Sequence, residues 1–249
     1  MSVVATTSRE SVILQIMVSM DGTESEPASL LAVIATGTGR YADPWHPFPA
    51  TSARIAAALV ADGWDVVVDD DVDHALASLD GVDLLVVNAG DPWREGGAEL
   101  GRSADPAADA GLQAAIARGI GLIAVHAALS SLRDHPAWRE AIGGEWKPGV
   151  SWHPPIGEAR VRVVDRDHPV SDGMPGLDVF DERYSDLVVD DGARVLAVHD
   201  VDGAEHPAVW VHEQPTRAVV SSLGHDERAY DSPAHVALLQ RAARWAARV

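Results

Sequence analysis

Uninterrupted apolar runs constrain this chain more than any other feature. "LLAVIAT" (30–36), "VDLLVVN" (82–88) and "IGLIAVH" (120–126) have no polar alternation, and "WDVVVDD" (64–70) is only slightly less apolar. A strand that is apolar on both faces belongs to a parallel sheet covered by helices on each side. The intervening segments read as those helices. "TSARIAAALVADG" (51–63) has Thr51 or Ser52 as an N-cap, an apolar face through Ile55, Leu59 and Val60, and Gly63 past its end. "DHALASLDG" (73–81) is a short helix or turn, and "AADAGLQAAIARG" (107–119) is a full helix. The second half changes texture. "EARVRVVD", "ARVLAVHD", "PAVWVHE" and "TRAVVSSLG" are shorter and more alternating, which predicts antiparallel strands, and an amphipathic helix closes the chain over 233–249. The expected fold class is α/β: a doubly wound, mostly parallel sheet with helices on both faces, plus an antiparallel extension in the C-terminal half.

The 249 residues suit one such domain over 30–249, preceded by an N-terminal extension, 1–29, whose last part, "DGTESEPAS", reads as a linker. Within the extension, "VILQIMVSM" (12–20) follows Arg9 and raises the question of a signal peptide. It is short, contains Gln15 and lacks an A-x-A site, so it reads as an extra edge strand or an extension. No apolar run approaches the roughly 20 residues of a membrane span. A net charge of −19 repels phosphate backbones and argues against nucleic acid. Cysteine is absent, which removes disulfides, a thiolate nucleophile and thiolate metal ligands. "GTGR" after the first strand is too short for a dinucleotide fingerprint.

In open α/β sheets, ligands bind outside the carboxyl ends of the strands, and there the unusual polar and aromatic residues gather. "YADPWHP" holds Asp43, Trp45 and His46; "DPW" holds Asp91 and Trp93; "SWHPP" holds Trp152 and His153. "FDERY" holds Asp181, Glu182 and Tyr184; "EHPAVW" holds His206; "LGHDERAY" holds His225. Singly, each has a bland reading as a solvated loop residue or packing group. His74, His135, His168, His199, His212 and His235 have ordinary helix, cap, turn or strand settings. His126 is different: it ends an apolar strand, where an unpaired imidazole is costly. A sharp strand-to-helix turn is also where many enzymes of this topology hold a reactive side chain.

Taken in order, "GTGRYADPWHP", "DLLVVN", "GLIAVHAA", "IGGEWKPGVSWHP", "DHPVSDGMPGLDVFDERY", "HPAVW" and "SLGHDERAY" resemble the trehalose-utilisation (ThuA-like) family from about Leu30 to the C-terminus. The resemblance implies a class I glutamine amidotransferase-like fold with a flavodoxin-like core. It also implies bacterial carbohydrate metabolism in the cytoplasm, with disaccharides such as trehalose, or their keto derivatives, as the substrate class. The amidotransferase nucleophile is a cysteine at the turn where this chain has "AVHAA", so glutaminyl thioester chemistry is not available here.

The expectation is an enzyme acting on a sugar or keto-sugar, as a hydrolase, lyase or isomerase. His126, Glu182, His225 and His46 are the acid/base or ligand candidates. Trp45, Asp43, Trp93, Trp152, His153, Tyr184 and His206 are the substrate-binding candidates. Asp181 and Glu182 are adjacent in sequence, which does not suit the opposed carboxylates of an ordinary glycosidase. The alternative is a non-catalytic carbohydrate-binding or sensing protein using the same pocket. No compact metal motif such as HExxH occurs, but His and acidic residues from separate loops leave a divalent metal site, zinc among the candidates, open. The expected partner is a small carbohydrate, and the apolar "VILQIMV" segment makes a homodimer a further expectation.

Overall fold

A computed structural model describes residues 29–92 and 104–249. Trp93 and most of the 1–29 extension, with its apolar segment, lie outside the described residues. Strands β1 (Leu31–Thr36), β2 (Asp65–Asp69), β3 (Leu84–Asn88), β4 (Gly121–Val125) and β6 (Gly157–Val163) follow the expected runs. They are joined by β7 (Leu177–Asp181), β9 (Arg194–Val201), β10 (Ala204–His212) and β11 (Ala218–Ser221) in one nine-stranded sheet, in the order β2-β1-β3-β4-β11-β10-β9-β6-β7. A two-stranded ribbon pairs β5 (Gly144–Glu145) with β8 (Val188–Val189).

The unbroken apolar runs do what their composition requires. Along β3, Leu84 and Val86 face one core while Leu85 and Val87 face the other; along β4, Ile123 and Val125 oppose Leu122 and Ala124. The first core is covered by α1 (Phe48–Ala61) and α5 (Pro233–Ala247). The second is covered by α2 (Val72–Ala77), α3 (Pro106–Arg118) and α4 (Pro136–Ile142). β2, by contrast, is an edge strand with Val67 and Val68 half exposed.

Two local readings need correction. "TRAVVSSLG" is not part of a purely antiparallel extension: β11 runs parallel to β4, with Val219 opposite Ile123, and antiparallel to β10. β11 therefore joins the two halves of the sheet. Its apolar run is buried on both sides, the signature of the parallel strands before it. Thr51 and Ser52 are not N-caps either. Helix α1 starts at Phe48, with proline in its first turn, and both hydroxyls face the sheet. There Asn88 Nδ2 donates to Thr51 Oγ1 and Ser52 Oγ, each at 2.9 Å, so the polar end of β3 is satisfied inside the fold.

The sheet order places β7 at the edge farthest from β2, yet its last residue reaches the loop after β11. Asp181 accepts from the backbone N–H of Gly224, and Leu177 and Val179 share a core with Leu238 and Leu239 of α5. The antiparallel limb therefore curls back, bringing "FDERY" over the carboxyl ends of β1, β4 and β11.

Candidate metal centre and substrate cleft

β4 ends at Val125, and the next residue, His126, has φ +46°. A non-glycine residue in the left-handed region is held there by its surroundings. The turn into the short 3-10 helix His126–Leu129 is thus a strained strand-to-helix elbow, which lifts the imidazole out of the alternation of β4. His126 is buried, and its Nδ1–H donates to the carbonyl of Ser222 at 2.7 Å. That bond fixes the tautomer and leaves the lone pair of Nε2 facing Glu182.

His46, on the loop between β1 and α1, is held similarly. Its Nδ1–H donates to the carboxylate of Asp43 at 2.7–2.9 Å, and Asp43 also accepts the backbone N–H groups of Trp45 and His46. His225, after β11, points Nδ1 at Glu182 Oε2 from 3.3 Å, and His126 Nε2 lies 3.7 Å from the same oxygen. His46, His126, Glu182 and His225 each offer one ligand atom, and these atoms lie within 4.8 Å of one another. The three imidazole rings pack with centroids 4.7–5.3 Å apart. Among the described residues, His46 Nε2, His126 Nε2 and His225 Nδ1 are buried without a hydrogen-bond partner.

The electrostatics follow from burial and pairing. Burial pushes the His126 imidazole down to about 4 against the opposing pull of Glu182, so it is neutral at pH 7. For Glu182, burial acts upward, but the imidazoles of His126 and His225 beside it outweigh it and hold the carboxyl well below its usual range. His225 is displaced upward, because the pull of Glu182 exceeds the effect of burial. Burial, and then the charges of Glu182, Asp181 and Asp43, keep the Tyr184 phenol protonated. Three imidazole lone pairs and one carboxylate, with outer hydrogen bonds fixing two of the rings, match the donor set of a borderline divalent metal such as zinc.

Three members of the cluster, His46, Glu182 and His225, line a cavity of about 700 Å³ whose walls also include Asp43, Trp45, His153 and Tyr184. That volume suits a small organic ligand of one or two rings. His153 Nδ1 approaches Glu182 Oε1 at 3.5 Å, on the side away from His126, and its side chain is 40% exposed. Tyr184 stacks on His126 at 4.1 Å and meets the edge of Trp146 at 4.5 Å. Trp45 is 62% exposed at the mouth.

Of the candidates from sequence, His46, His126, Glu182 and His225 come together, and Asp43, Trp45, His153 and Tyr184 line the same cavity or brace it. Trp152 bridges to Ser185, with its indole N–H on Asp186 at 2.7 Å, and stands outside the lining. His206 stacks on His199 and accepts from the backbone N–H of Asp186, so it braces the Tyr184 segment from behind. Sequence reasoning passed over Ser130, Arg133 and Trp146, which also line the cavity. Ser130 and Arg133 had only their position, on the segment following the His126 turn, as a signal, whereas Trp146 stands in the quoted "IGGEWKPGVSWHP" motif.

The sequence matches the family profile described as trehalose utilisation, ThuA, over residues 32–246. The chain belongs to the ThuA family. A ThuA-like protein from Parabacteroides merdae has a similar structure: TM-score 0.72 and 19% identity, with 88% of this chain and 90% of that one covered. A ThuA-like protein from Bacteroides uniformis superposes with TM-score 0.65 at 16% identity, covering 91% and 95%. A GMP synthase component from Thermoplasma acidophilum superposes with TM-score 0.57 at 14% identity, covering 90% and 96%. At these identities the likeness is one of fold, the amidotransferase-like α/β fold. No curated protein matches the sequence. In this ThuA chain the elbow after β4 carries an imidazole, and the absence of cysteine excludes thiol-dependent amidotransfer. No helix among the described residues is long and apolar enough to cross a membrane.

Proposed function

We propose that this ThuA-family protein is a metal-dependent enzyme acting on a neutral sugar or keto-sugar. In this reading His46, His126, His225 and Glu182 hold a divalent transition metal, zinc among the candidates. The observation that carries it is the convergence on one carboxylate of three buried imidazole nitrogens that otherwise have no partner. An unpaired buried polar atom costs about 1–3 kcal/mol, and three in one place are most simply accounted for by a shared ligand.

A bound divalent ion supplies Lewis-acid polarisation of a substrate oxygen. The protein supplies the rest. His153, beside Glu182 Oε1 and open to the cavity, is placed to move a proton to or from a substrate carbon or hydroxyl. Tyr184, kept neutral, is a phenol that donates and does not repel a developing oxyanion. Trp45 and Trp146 offer apolar ring faces, and the Arg133–Asp91 pair offers both donors and acceptors for hydroxyls. Proton removal beside a carbonyl needs one base and one electrophile, which suits this set better than glycoside hydrolysis by two opposed carboxylates.

The test is metal content by plasma mass spectrometry on tag-free wild type and His126→Ala. Near-stoichiometric metal in the wild type and its loss in the variant support the reading. They are followed by calorimetry and turnover assays with disaccharides and their keto derivatives. A wild type that takes up no metal after incubation with zinc, manganese, cobalt or nickel ends the metal assignment. Sugar binding without turnover, undiminished in His126→Ala and His225→Ala, would make the protein a carbohydrate binder.

A further inference from the structure

Asp181 is an acidic residue, fully buried, and not a member of the four-residue cluster. An apolar residue would end β7 at far lower desolvation cost. Asp181 instead spends its carboxylate on three backbone donors. Oδ1 accepts from Glu182 N at 2.8 Å and from His225 N at 3.1 Å, and Oδ2 accepts from Gly224 N at 2.7 Å. These N–H groups belong to the segments that carry two of the four cluster residues. The carbonyl of Ser222, in the loop clamped at Gly224 and His225, also fixes the His126 ring. One buried carboxylate thus ties together Glu182, His225 and, through Ser222, His126. Only His46, held by Asp43, stands apart.

Gly224 completes the clamp. Its φ is +119°, and a Cβ there would lie 2.8 Å from both the Tyr230 hydroxyl and Val125 Cγ1. Only glycine lets the backbone approach closely enough to aim this N–H at Asp181.

We propose that Asp181 is the positioning residue of this centre: by clamping the Gly224–His225 backbone to the end of β7, it sets the spacing of His225, Glu182 and His126 that a metal requires. The inference rests on the metal reading above, so its test needs one readout that does not depend on metal.

The variant is Asp181→Asn, which keeps the shape but turns one oxygen into an N–H₂ group facing a backbone donor. Zinc affinity is measured by chelator competition, the Co²⁺-loaded protein by its visible absorption, and backbone protection by amide hydrogen exchange. The expected result is a fold that melts cooperatively, zinc affinity lower by about 10–100-fold, a shifted Co²⁺ spectrum, and faster exchange confined to Glu182, Gly224 and His225. Wild-type affinity and an unchanged Co²⁺ spectrum in the variant would overturn the proposal. Should the wild type bind no metal, the metal reading falls, and exchange still decides whether Asp181 clamps the loop: unchanged rates at Gly224 and His225 refute it. If Asp181→Asn does not fold, Gly224→Ala, which alters no charge, carries the same test, and wild-type zinc affinity in that variant would count equally against the clamp.

Discussion

His235, in the first turn of α5, should make the protein acid-labile by a calculable amount. The side chain is fully buried; Nδ1 donates to the carbonyl of Ala229 at 3.0 Å, and Nε2 has no partner among the described residues. Burial pushes its pKa down to about 4, from an ordinary value of 6.5. The folded value lies below the unfolded one, so as pH falls the unfolded chain takes up this proton first. The contribution is fully present above pH 6.5 and is lost as pH falls toward 4. At about 1.4 kcal/mol per unit, the gap amounts to roughly 3 kcal/mol over the full window and about 2 kcal/mol by pH 5. The perturbation is His235→Leu, which removes the titrating group at the pH-independent cost of one hydrogen bond. The assay is urea unfolding of metal-free wild type and variant at pH 7, 6 and 5. The wild-type advantage should shrink by about 2 kcal/mol between pH 7 and pH 5. A difference between the two proteins that stays constant over that range would show that His235 is not held neutral by burial, and would refute the reasoning. Because the Ala229 carbonyl belongs to the turn just beyond His225, this acid sensitivity should appear beside the candidate centre.

Two further outcomes test the cleft. Asp43→Asn removes the charge that orients His46, and zinc affinity should fall by about 10–100-fold with little change in melting temperature, measured by chelator competition beside a thermal melt. Trp45→Ala should weaken calorimetric sugar binding by about 3–10-fold, the value of one aromatic contact, while leaving metal content at the wild-type level, because Trp45 is exposed at the mouth and is not a member of the metal cluster.

Much of the parallel half of the fold can be read from local pattern. A run such as "VDLLVVN" has no polar face, so it must be buried on both sides, and the helices between such runs follow from their apolar spacing, though not their exact starts. The same physics marked His126, because an imidazole directly after a buried strand is expensive unless it is used. The separate motifs also follow from the sequence, since each is a short cluster of polar and aromatic residues at a strand end or in a loop.

Their assembly is a tertiary matter. Nothing local says that β11 lies parallel to β4, or that the antiparallel limb curls until Asp181 meets Gly224, 43 residues further along. Asp181 reads as half of a charge pair in "FDERY", and only its burial against three backbone N–H groups distinguishes it from the Glu182 beside it. Trp152 and His206 sit in motifs that look equally chemical, yet pairing of Trp152 with Ser185 and stacking of His206 on His199 turn both away from the cavity. The sequence determines which side chains are available and which segments are buried, because burial and backbone propensity act over a few residues. Which side chains share a centre depends on contacts across the whole sheet, which the tertiary structure alone decides.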